Sequence, residues 1–362
     1  MEKLIVDRIE DLTRFEEIKN DWEQLYGSDP NSNVYISWNW MYGCFSFPSS
    51  EWMVLGVKDT DTSCYVAFLP LTFYYHGAYG IYPIRQIVYG GKPLSVYSGF
   101  LCSPDFEFEA IRKLAYYVQS NLKWDIFHFK WIKDPRIGIF MHTFQHFKYL
   151  VRESKSLTAL IITLPDDYET YLYNYLSKRT RHTIKVRTKY ILENKNFILR
   201  YANAETIDKD LDALCDLWLK RWGQKHQMEW YKHIFRHLFE NNLLRLSVIY
   251  DGDVPVSAVA CSIDPVNRFY NAIITSYNRD YSKIAPGFVL FAESIKQAIE
   301  QNYKYYDFTV GLDLYKRAFG PELYETKNVS ITRKNIKTFV AIKIAKNVKR
   351  ILKKLLKKKN KQ

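Results

Sequence analysis

Residues 278–300 contain the residue types of a phosphate-binding turn at the start of a helix. Pro286 suits a first helical turn, because its missing N–H would have no helical partner there, and Gly287 lets a ligand approach the backbone closely. The N–H groups of Gly287, Phe288 and Val289, reinforced by the helix dipole, would then bind a pyrophosphate. Many helices begin with Pro-Gly without binding a ligand, so this spacing alone leaves an ordinary helix start open.

A second candidate site is a cationic helix over residues 178–189. Lys178, Arg181 and Lys185 recur at helical spacing, opposite an apolar face that includes Ile184. A guanidinium pairs bidentately with phosphate, so Arg181 could hold a phosphate group of a substrate. A solvated surface helix shows the same pattern, and that alternative stays open.

The most informative pattern joins the Pro286 helix start to residues 306–320, Tyr-Asp-Phe-Thr-Val-Gly-Leu-Asp-Leu-Tyr-Lys-Arg-Ala-Phe-Gly. The pair resembles the carboxy-terminal signature of the CelD-like acetyltransferases, a branch of the GNAT superfamily close to the FemAB peptidyltransferases. The matching residues are Pro286, Gly287, Leu290, Asp307, Phe308, Gly311, Tyr315, Lys316, Phe319 and Gly320. Residues 177–185 and 217–222 resemble two further helices of that family. The acidic residue that usually follows the family's glycine is displaced by one place, to Asp313.

This resemblance implies transfer of an acyl group, from an acyl-coenzyme A such as acetyl-CoA, to an amine. The chemistry needs a pyrophosphate site, donors for a tetrahedral oxyanion, an acid and a base. By resemblance, the strand 268–275 offers the donors and the helix from Pro286 holds the pyrophosphate. Tyr315 is the candidate acid and Asp313 the candidate base, although Tyr315 could instead be a packed aromatic residue. The residues expected to bind anionic parts of coenzyme A or of a nucleotide-linked sugar are Lys178, Arg181, Lys185 and Lys316.

Three functions follow from the resemblance. The first is an N-acyltransferase that modifies an amine acceptor, such as an amino sugar, in envelope or exopolysaccharide synthesis. The second is aminoacyl-tRNA-dependent transfer as in the FemAB relatives, although the sequence lacks a long helical hairpin with heptads. The third is a catalytically silent GNAT fold that serves as a membrane-associated interaction module, which the displacement to Asp313 keeps open.

The sequence offers little basis for a metal site. His142/His146 and His233/His237 have the i, i+4 spacing of helical ligands, but neither pair contains the glutamate of the zinc-protease pattern. Five cysteines at wide spacings form no Cys-x-x-Cys pair, so we expect reduced thiols and no metal.

The elements that must position these residues occur in the same order twice. Each half is predicted to start with helices, continue with antiparallel strands and close with helix and strand. The fold class is therefore α/β (α+β), with two tandem GNAT-like domains around central mixed sheets. The predicted domains are 1–150, 151–332 and a basic amphipathic tail, 333–362.

The tail carries the net charge. Thirteen of the 52 Lys and Arg residues lie in 333–361, where no acidic residue occurs, and thirteen is also the net charge of the whole chain. Apolar residues recur at spacings of three and four within 339–359, a pattern typical of helices that lie on anionic bilayers. A tail that binds phosphate alone would not need this stripe, so nucleic acid is disfavoured as a partner; a solvated, disordered tail stays open.

The amino terminus is charged and lacks the apolar run of a signal peptide. We therefore expect a cytoplasmic protein, peripheral at the inner leaflet of the plasma membrane. The sequence does not indicate the oligomeric state.

Overall fold

The computed structural model describes residues 3–48, 51–78, 82–91, 95–97, 99–194, 196–223, 227–311, 314–340 and 343. The strands are β1 (Leu4–Ile9), β2 (Trp52–Asp59), β3 (Tyr65–Ala78), β4 (Tyr82–Tyr89), β5 (Leu101–Cys102), β6 (Ile126–Ile132), β7 (Tyr149–Lys155), β8 (Ala159–Thr163), β9 (Phe197–Tyr201), β10 (Leu244–Asp251), β11 (Val254–Asp264), β12 (Phe269–Tyr277), β13 (Tyr305–Val310), β14 (Glu322–Tyr324) and β15 (Lys327–Arg333).

The α-helices are α1 (Leu12–Glu17), α2 (Lys19–Ser28), α3 (Trp38–Phe45), α4 (Glu107–Asn121), α5 (Ile137–His142), α6 (Tyr168–Tyr175), α7 (Lys178–Glu193), α8 (Ile207–Trp222), α9 (Met228–Glu240), α10 (Pro286–Glu300) and α11 (Leu314–Arg317). Short 3₁₀ turns occur at Val34–Ile36, Pro104–Phe106 and Arg279–Ile284. The predicted α/β class with two mixed sheets is confirmed.

The described residues form two compact units. The first takes its residues from 1–32, 49–156 and 327–362, and the second from 33–48 and 157–326. These units differ from the predicted ranges 1–150 and 151–332 in two ways. The segment with α3 packs against α9 of the second unit, and β15 pairs with β6 and β7 of the first.

The sheet of the first unit runs in the order β1-β2-β3-β4-β6-β15-β7, with β5 paired to β3. Neighbours are antiparallel except for β4 and β6, which are parallel. Helix α4 covers this sheet with an apolar stripe at helical spacing, whose buried residues are Ala110, Ile111, Leu114, Ala115 and Val118. β1 and β7 were not predicted from the sequence.

A buried ion cluster holds the first unit's loop before β5. The guanidinium of Arg136 bonds the carboxylates of Asp29 and Asp134 and the Phe100 carbonyl, and all three charged side chains are at most 2% exposed. The same carboxylates accept the N–H groups of Phe100 and Cys102. Because each charge has a partner, the cluster fixes the loop without leaving a buried ion uncompensated.

The sheet of the second unit runs in the order β14-β8-β13-β12-β11-β10-β9. Helices α6, α7 and α10 share one apolar core with this sheet, whereas α8 packs on β10, β11 and β12 outside that core. Side-chain caps start two of these helices, because Asp167 and Ser177 accept the N–H groups of Thr170 and Thr180.

Within the described residues, none of the helices has both the length and the hydropathy that crossing a bilayer requires. Residues 336–340 continue from β15 as a helix, but 341, 342 and 344–362 lie outside the described residues. Most of the predicted membrane-binding segment, residues 339–359, therefore lies outside the described residues.

Candidate functional site

The second unit's sheet opens between its two parallel strands. β12 pairs with β13 only where Phe269–Asn271 face Tyr305–Asp307, while β12 keeps its pairing with β11 as far as Tyr277. The opening begins at an irregularity in β13, where Thr309 has a φ of 63° and donates its N–H to the Asp307 carboxylate at 2.6 Å. The far half of β12 thus has one edge free of β13, which leaves backbone donors for a ligand.

A pocket of about 200 Å³ lies at this opening. Thr275 and Tyr277 line it from β12, Tyr315 from α11, and Arg221 from α8. The start of α10 closes it with Pro286, Gly287, Phe288 and Phe291, and the preceding turn adds Ser282 and Ala285. The structure therefore brings the predicted pyrophosphate turn and the predicted acid together in one pocket.

The start of α10 has the features of an anion-binding turn. Ala285 precedes the helix in the left-handed conformation, with a φ of 50°, and no side chain caps the first-turn amides. The Phe288 N–H donates to the Ala285 carbonyl at 3.0 Å, so of the three predicted donors this one is already used. The dipole of a fifteen-residue helix adds to the positive potential at this end.

Gly287 has room around it. A Cβ built on this residue would meet only the Ser257 hydroxyl oxygen, at 3.8 Å, which is ordinary van der Waals distance. The fold thus does not itself require glycine here, and its side-chain space is open for a ligand that lies against the backbone. The pocket therefore leaves room for a ligand atom against the backbone of Gly287.

Tyr315 is 36% exposed and its ring centroid lies 5.8 Å from that of Phe291. It thus packs against α10 and also borders the pocket, and its role as the acid stays a prediction. Asp313, the predicted base, lies outside the described residues. Among the described residues that line the pocket there is no carboxylate and no histidine, so they supply no obvious base.

Lys316 does not face the pocket. Its side chain is 7% exposed and its Nζ donates to the Phe308 carbonyl at 3.2 Å, which ties α11 to the end of β13. The prediction that Lys316 binds an anion is therefore replaced by a structural contact within the domain.

The other cationic candidates share a larger cleft, which we call the α7 cleft. It measures about 1050 Å³ and lies between α6, α7, β9 and α10. Its cationic and imidazole side chains are Lys178, Arg181, His182, Lys185, Lys189 and Lys296. Three carboxylates, Glu169, Glu193 and Glu293, offset part of this charge. Tyr201 donates to the last of these at 2.8 Å, and the cleft stays cationic in balance.

Arg181 has a structural contact that the sequence did not indicate. Its Nη1 donates to the Leu176 carbonyl at 2.6 Å, at the end of α6, and its guanidinium lies 4.9 Å from the Tyr173 ring centroid. A cation at a helix C-terminus stabilises the helix dipole. Replacing Arg181 should therefore lower the free energy of unfolding, which would not be expected of a residue that only binds a ligand.

A comparison with family models gives one match, to the acetyltransferase (GNAT) domain, over residues 178–317. Residues 178–317 thus resemble a GNAT acetyltransferase domain. This segment contains every residue that lines the pocket, from Arg221 to Tyr315. Most of the second unit therefore matches an acetyltransferase domain.

Over about nine tenths of its length, the chain has a fold similar to that of FemX and of a tandem GNAT protein. FemX shares 10% identity and a TM-score of 0.61, with 89% of this chain and 96% of that chain covered. L-PGS from Bacillus licheniformis shares 12% identity and a TM-score of 0.54, with 91% of this chain and 96% of that chain covered. A tandem GNAT protein from the clavulanic acid biosynthesis pathway shares 11% identity and a TM-score of 0.52, with 91% of this chain and 99% of that chain covered. These likenesses give a FemAB-like fold. A comparison with curated protein sequences finds no match.

Several residues of the GNAT pocket were not predicted from the sequence. Arg221 lies in the segment 217–222, which resembles a helix of the family, but no role was predicted for it. Its guanidinium lies 5.4 Å from the Tyr277 ring centroid, and both residues line the pocket. Thr275 and Tyr277 are two apart on a strand and therefore share a face, a signal that could have identified them. Ser282 and Ala285 depend on the turn geometry, which the sequence does not specify.

The histidine pairs have no metal-like arrangement. His233 and His237 of the GNAT domain face α3, where a His233 ring nitrogen lies 3.0 Å from the Ser46 hydroxyl and the His237 ring stacks on Tyr42. Within the part of the chain that the structure describes, no group of three or more metal-binding side chains occurs. Cys261 is fully buried and burial raises the pKa of its thiol to about 12, so it is a poor nucleophile.

Proposed function

We propose that the chain is an N-acyltransferase that transfers an acyl group from acyl-coenzyme A to an amine, with the pocket at the β12–β13 opening as the donor site. The observation that carries the proposal is the joint position of the uncapped α10 start, the free edge of β12 and Tyr315 around one pocket. In a GNAT domain these three features correspond to a phosphate site, oxyanion donors and a proton donor.

The proposed residues act in a defined order. The first-turn amides of α10 and the guanidinium of Arg221 bind the anionic part of the donor, and the edge of β12 orients the thioester carbonyl. The acceptor nitrogen attacks that carbonyl carbon, the C–N bond forms and the C–S bond breaks. The Tyr315 hydroxyl gives its proton to the leaving thiolate, while the proton lost by the amine goes to a base outside the described lining, for which Asp313 remains the proposal.

The α7 cleft supports a phosphate-bearing acceptor. Helix α10 contributes to both cavities, because Phe291 lines the donor pocket and Ala292 and Glu293 line the cleft. Lys178 and Lys185 are exposed there and could bind the diphosphate of a nucleotide-linked amino sugar. The envelope or exopolysaccharide pathway and a cytoplasmic site of action beside the membrane extend this proposal and rest on the family resemblance.

The size and charge of the α7 cleft also favour a second candidate, an aminoacyl-tRNA donor. At about 1050 Å³ the cleft is larger than the donor pocket, and its cationic residues suit a nucleic-acid backbone. FemX has a similar fold. In this case the acyl group would arrive through the cleft and the α10 start would bind another anion.

A transfer assay distinguishes the two donors. The full-length chain is incubated with acetyl-coenzyme A and a panel of nucleotide-linked amino sugars, and free thiol and acetylated product are measured. Product that depends on acetyl-coenzyme A supports the first candidate. Product only with aminoacyl-tRNA supports the second, and absence of product with both, together with absence of donor binding, favours the catalytically silent module.

A further inference from the structure

The first unit has a cationic cleft that neither the GNAT pocket nor the α7 cleft accounts for. It measures about 550 Å³ and lies where β15 continues into the helical residues 336–340. Its four cationic side chains are Arg85, Lys123, Arg333 and Lys337. We call it the β15 cleft.

The β15 cleft contains one carboxylate, which is already neutralised. Asp125 is 6% exposed, and its carboxylate accepts hydrogen bonds from the Arg85 backbone N–H at 2.9 Å and from the Lys337 ammonium at 2.6 Å. Arg85 also pairs with the Glu51 carboxylate at 3.3 Å. Among the described residues, the cleft cations without a carboxylate partner are therefore Lys123 and Arg333. Lys123 is exposed and makes no ion pair with any residue that the structure describes.

Aromatic rings and helix carbonyls hold two of these cations in place. The Arg333 guanidinium lies 4.6 Å from the Trp124 ring centroid and donates to the Gln119 carbonyl at 2.9 Å, at the end of α4. The Arg85 guanidinium lies 5.5 Å from the Tyr75 ring centroid. Cations that are already ordered lose less conformational entropy when they bind an anion.

Exposed apolar side chains stand next to the β15 cleft. Ile336 is 84% exposed and Phe339 is 68% exposed, on either side of Lys337. Their helical turn is fixed at its start, because the Asn335 side chain accepts the Thr338 N–H at 2.8 Å and Thr338 is buried. Large apolar residues kept exposed beside ordered cations are typical of surfaces that enter the interface of a bilayer.

We propose that the β15 cleft binds the phosphate of an anionic phospholipid, so that the first unit docks on an anionic bilayer with Ile336 and Phe339 in the acyl boundary. The commitment to a bilayer rests on these two side chains, because a free phosphate or a nucleic acid would give them no apolar environment. The sequence after residue 340 adds apolar residues and lysines of the same kind.

The test compares two charge reversals in the full-length chain by sedimentation with vesicles of phosphatidylglycerol and phosphatidylcholine. Lys123→Glu changes the β15 cleft, and Lys130→Glu is the matched control, exposed in the same unit but outside the cleft. We expect Lys123→Glu to weaken binding about tenfold and Lys130→Glu to change it less than about twofold. Equal weakening would mean non-specific attraction and would overturn the headgroup site.

A second pair of variants tests the apolar part. Phe339→Ser should weaken vesicle binding, whereas Phe108→Ser, which removes a 54% exposed phenylalanine from α4, should not. Titration with inorganic phosphate distinguishes the sources of the anion. The bilayer proposal is wrong if vesicles bind the wild type and the Lys123→Glu chain equally well, while inorganic phosphate or RNA binds the wild type more tightly than the Lys123→Glu chain.

Discussion

At the scale of single residues, Tyr315 gives the sharpest test of the chemistry. Its ring packs on Phe291 and its edge borders the donor pocket, so Tyr315→Phe removes the hydroxyl and keeps the packing. If the hydroxyl protonates the leaving thiolate, kcat should fall by about 100-fold or more while donor affinity is retained. Steady-state kinetics and donor titration measure the two separately.

The control for Tyr315→Phe is Tyr116→Phe, which removes the hydroxyl of a 47% exposed tyrosine on α4 of the first unit. Its kcat should match that of the wild type. If Tyr315→Phe also matches the wild type, Tyr315 is a packing residue and the acid lies elsewhere.

The residue types predicted where cationic side chains gather, but they did not predict which groups those side chains contact. The cationic positions Lys178, Arg181 and Lys185 do line one cleft, as helical spacing indicates. The sequence could not show that Arg181 caps α6 or that Lys316 bonds the Phe308 carbonyl, because both contacts depend on backbone groups of another element. Long cationic side chains can reach several acceptors, and only the packing decides between them.

At the scale of elements, the contact between α3 and α9 should depend on pH. Burial lowers the pKa of His233 and of His237 at this contact. The folded protein then binds fewer protons than the unfolded chain just below the ordinary histidine pKa of about 6.5, so stability is complete above that pH and is lost as the pH falls. His237→Phe keeps the ring stack on Tyr42 and removes one titrating group.

We therefore expect the unfolding midpoint of the wild type to fall between about pH 7 and pH 5, and that of His237→Phe to fall less. Thermal unfolding at several pH values measures this slope. His142→Phe, on α5 of the first unit, controls for loss of an imidazole elsewhere. A wild-type slope that His237→Phe leaves unchanged would contradict this account of the contact.

Most elements of the second unit were predicted near their observed bounds, including α7, α8 and α10. Their apolar residues recur at helical spacing, and Ser177 before α7 and Pro286 in the first turn of α10 mark two of the starts, so local information is sufficient. The opening between β12 and β13 is different. It depends on the φ of Thr309 and on the Asp307 side chain, and neither has a sequence signal that distinguishes it from regular strand.

At the scale of the whole molecule, β15 shows why domain ranges are hard to predict. Its residue Lys327 pairs with Lys155 of β7, which is 172 positions earlier in the sequence, and β15 lies between β6 and β7 in the first unit's sheet. A pairing of such sequence separation follows from the complete fold and not from local pattern. The predicted boundary at 332 consequently falls inside this strand.

A truncation series tests the role of β15. A chain that ends at 326 loses the strand between β6 and β7, so its first unit should not fold cooperatively, whereas a chain that ends at 340 should unfold as the full chain does. Circular dichroism and limited proteolysis give the readout. Native-like protection of residues 126–155 in the shorter chain would contradict the structural role of β15.

The central claim is that the start of α10 binds the donor, and a calorimetric titration with acetyl-coenzyme A tests it most directly. Gly287→Ala adds a Cβ where the fold leaves space, and alanine favours a helix over glycine by about 1 kcal/mol, so the variant should fold. Gly138→Ala makes the same change in α5, also in open space. We predict about tenfold weaker binding for Gly287→Ala and wild-type binding for Gly138→Ala. Equal affinity of Gly287→Ala and wild type, or no binding by the wild type, would contradict the claim.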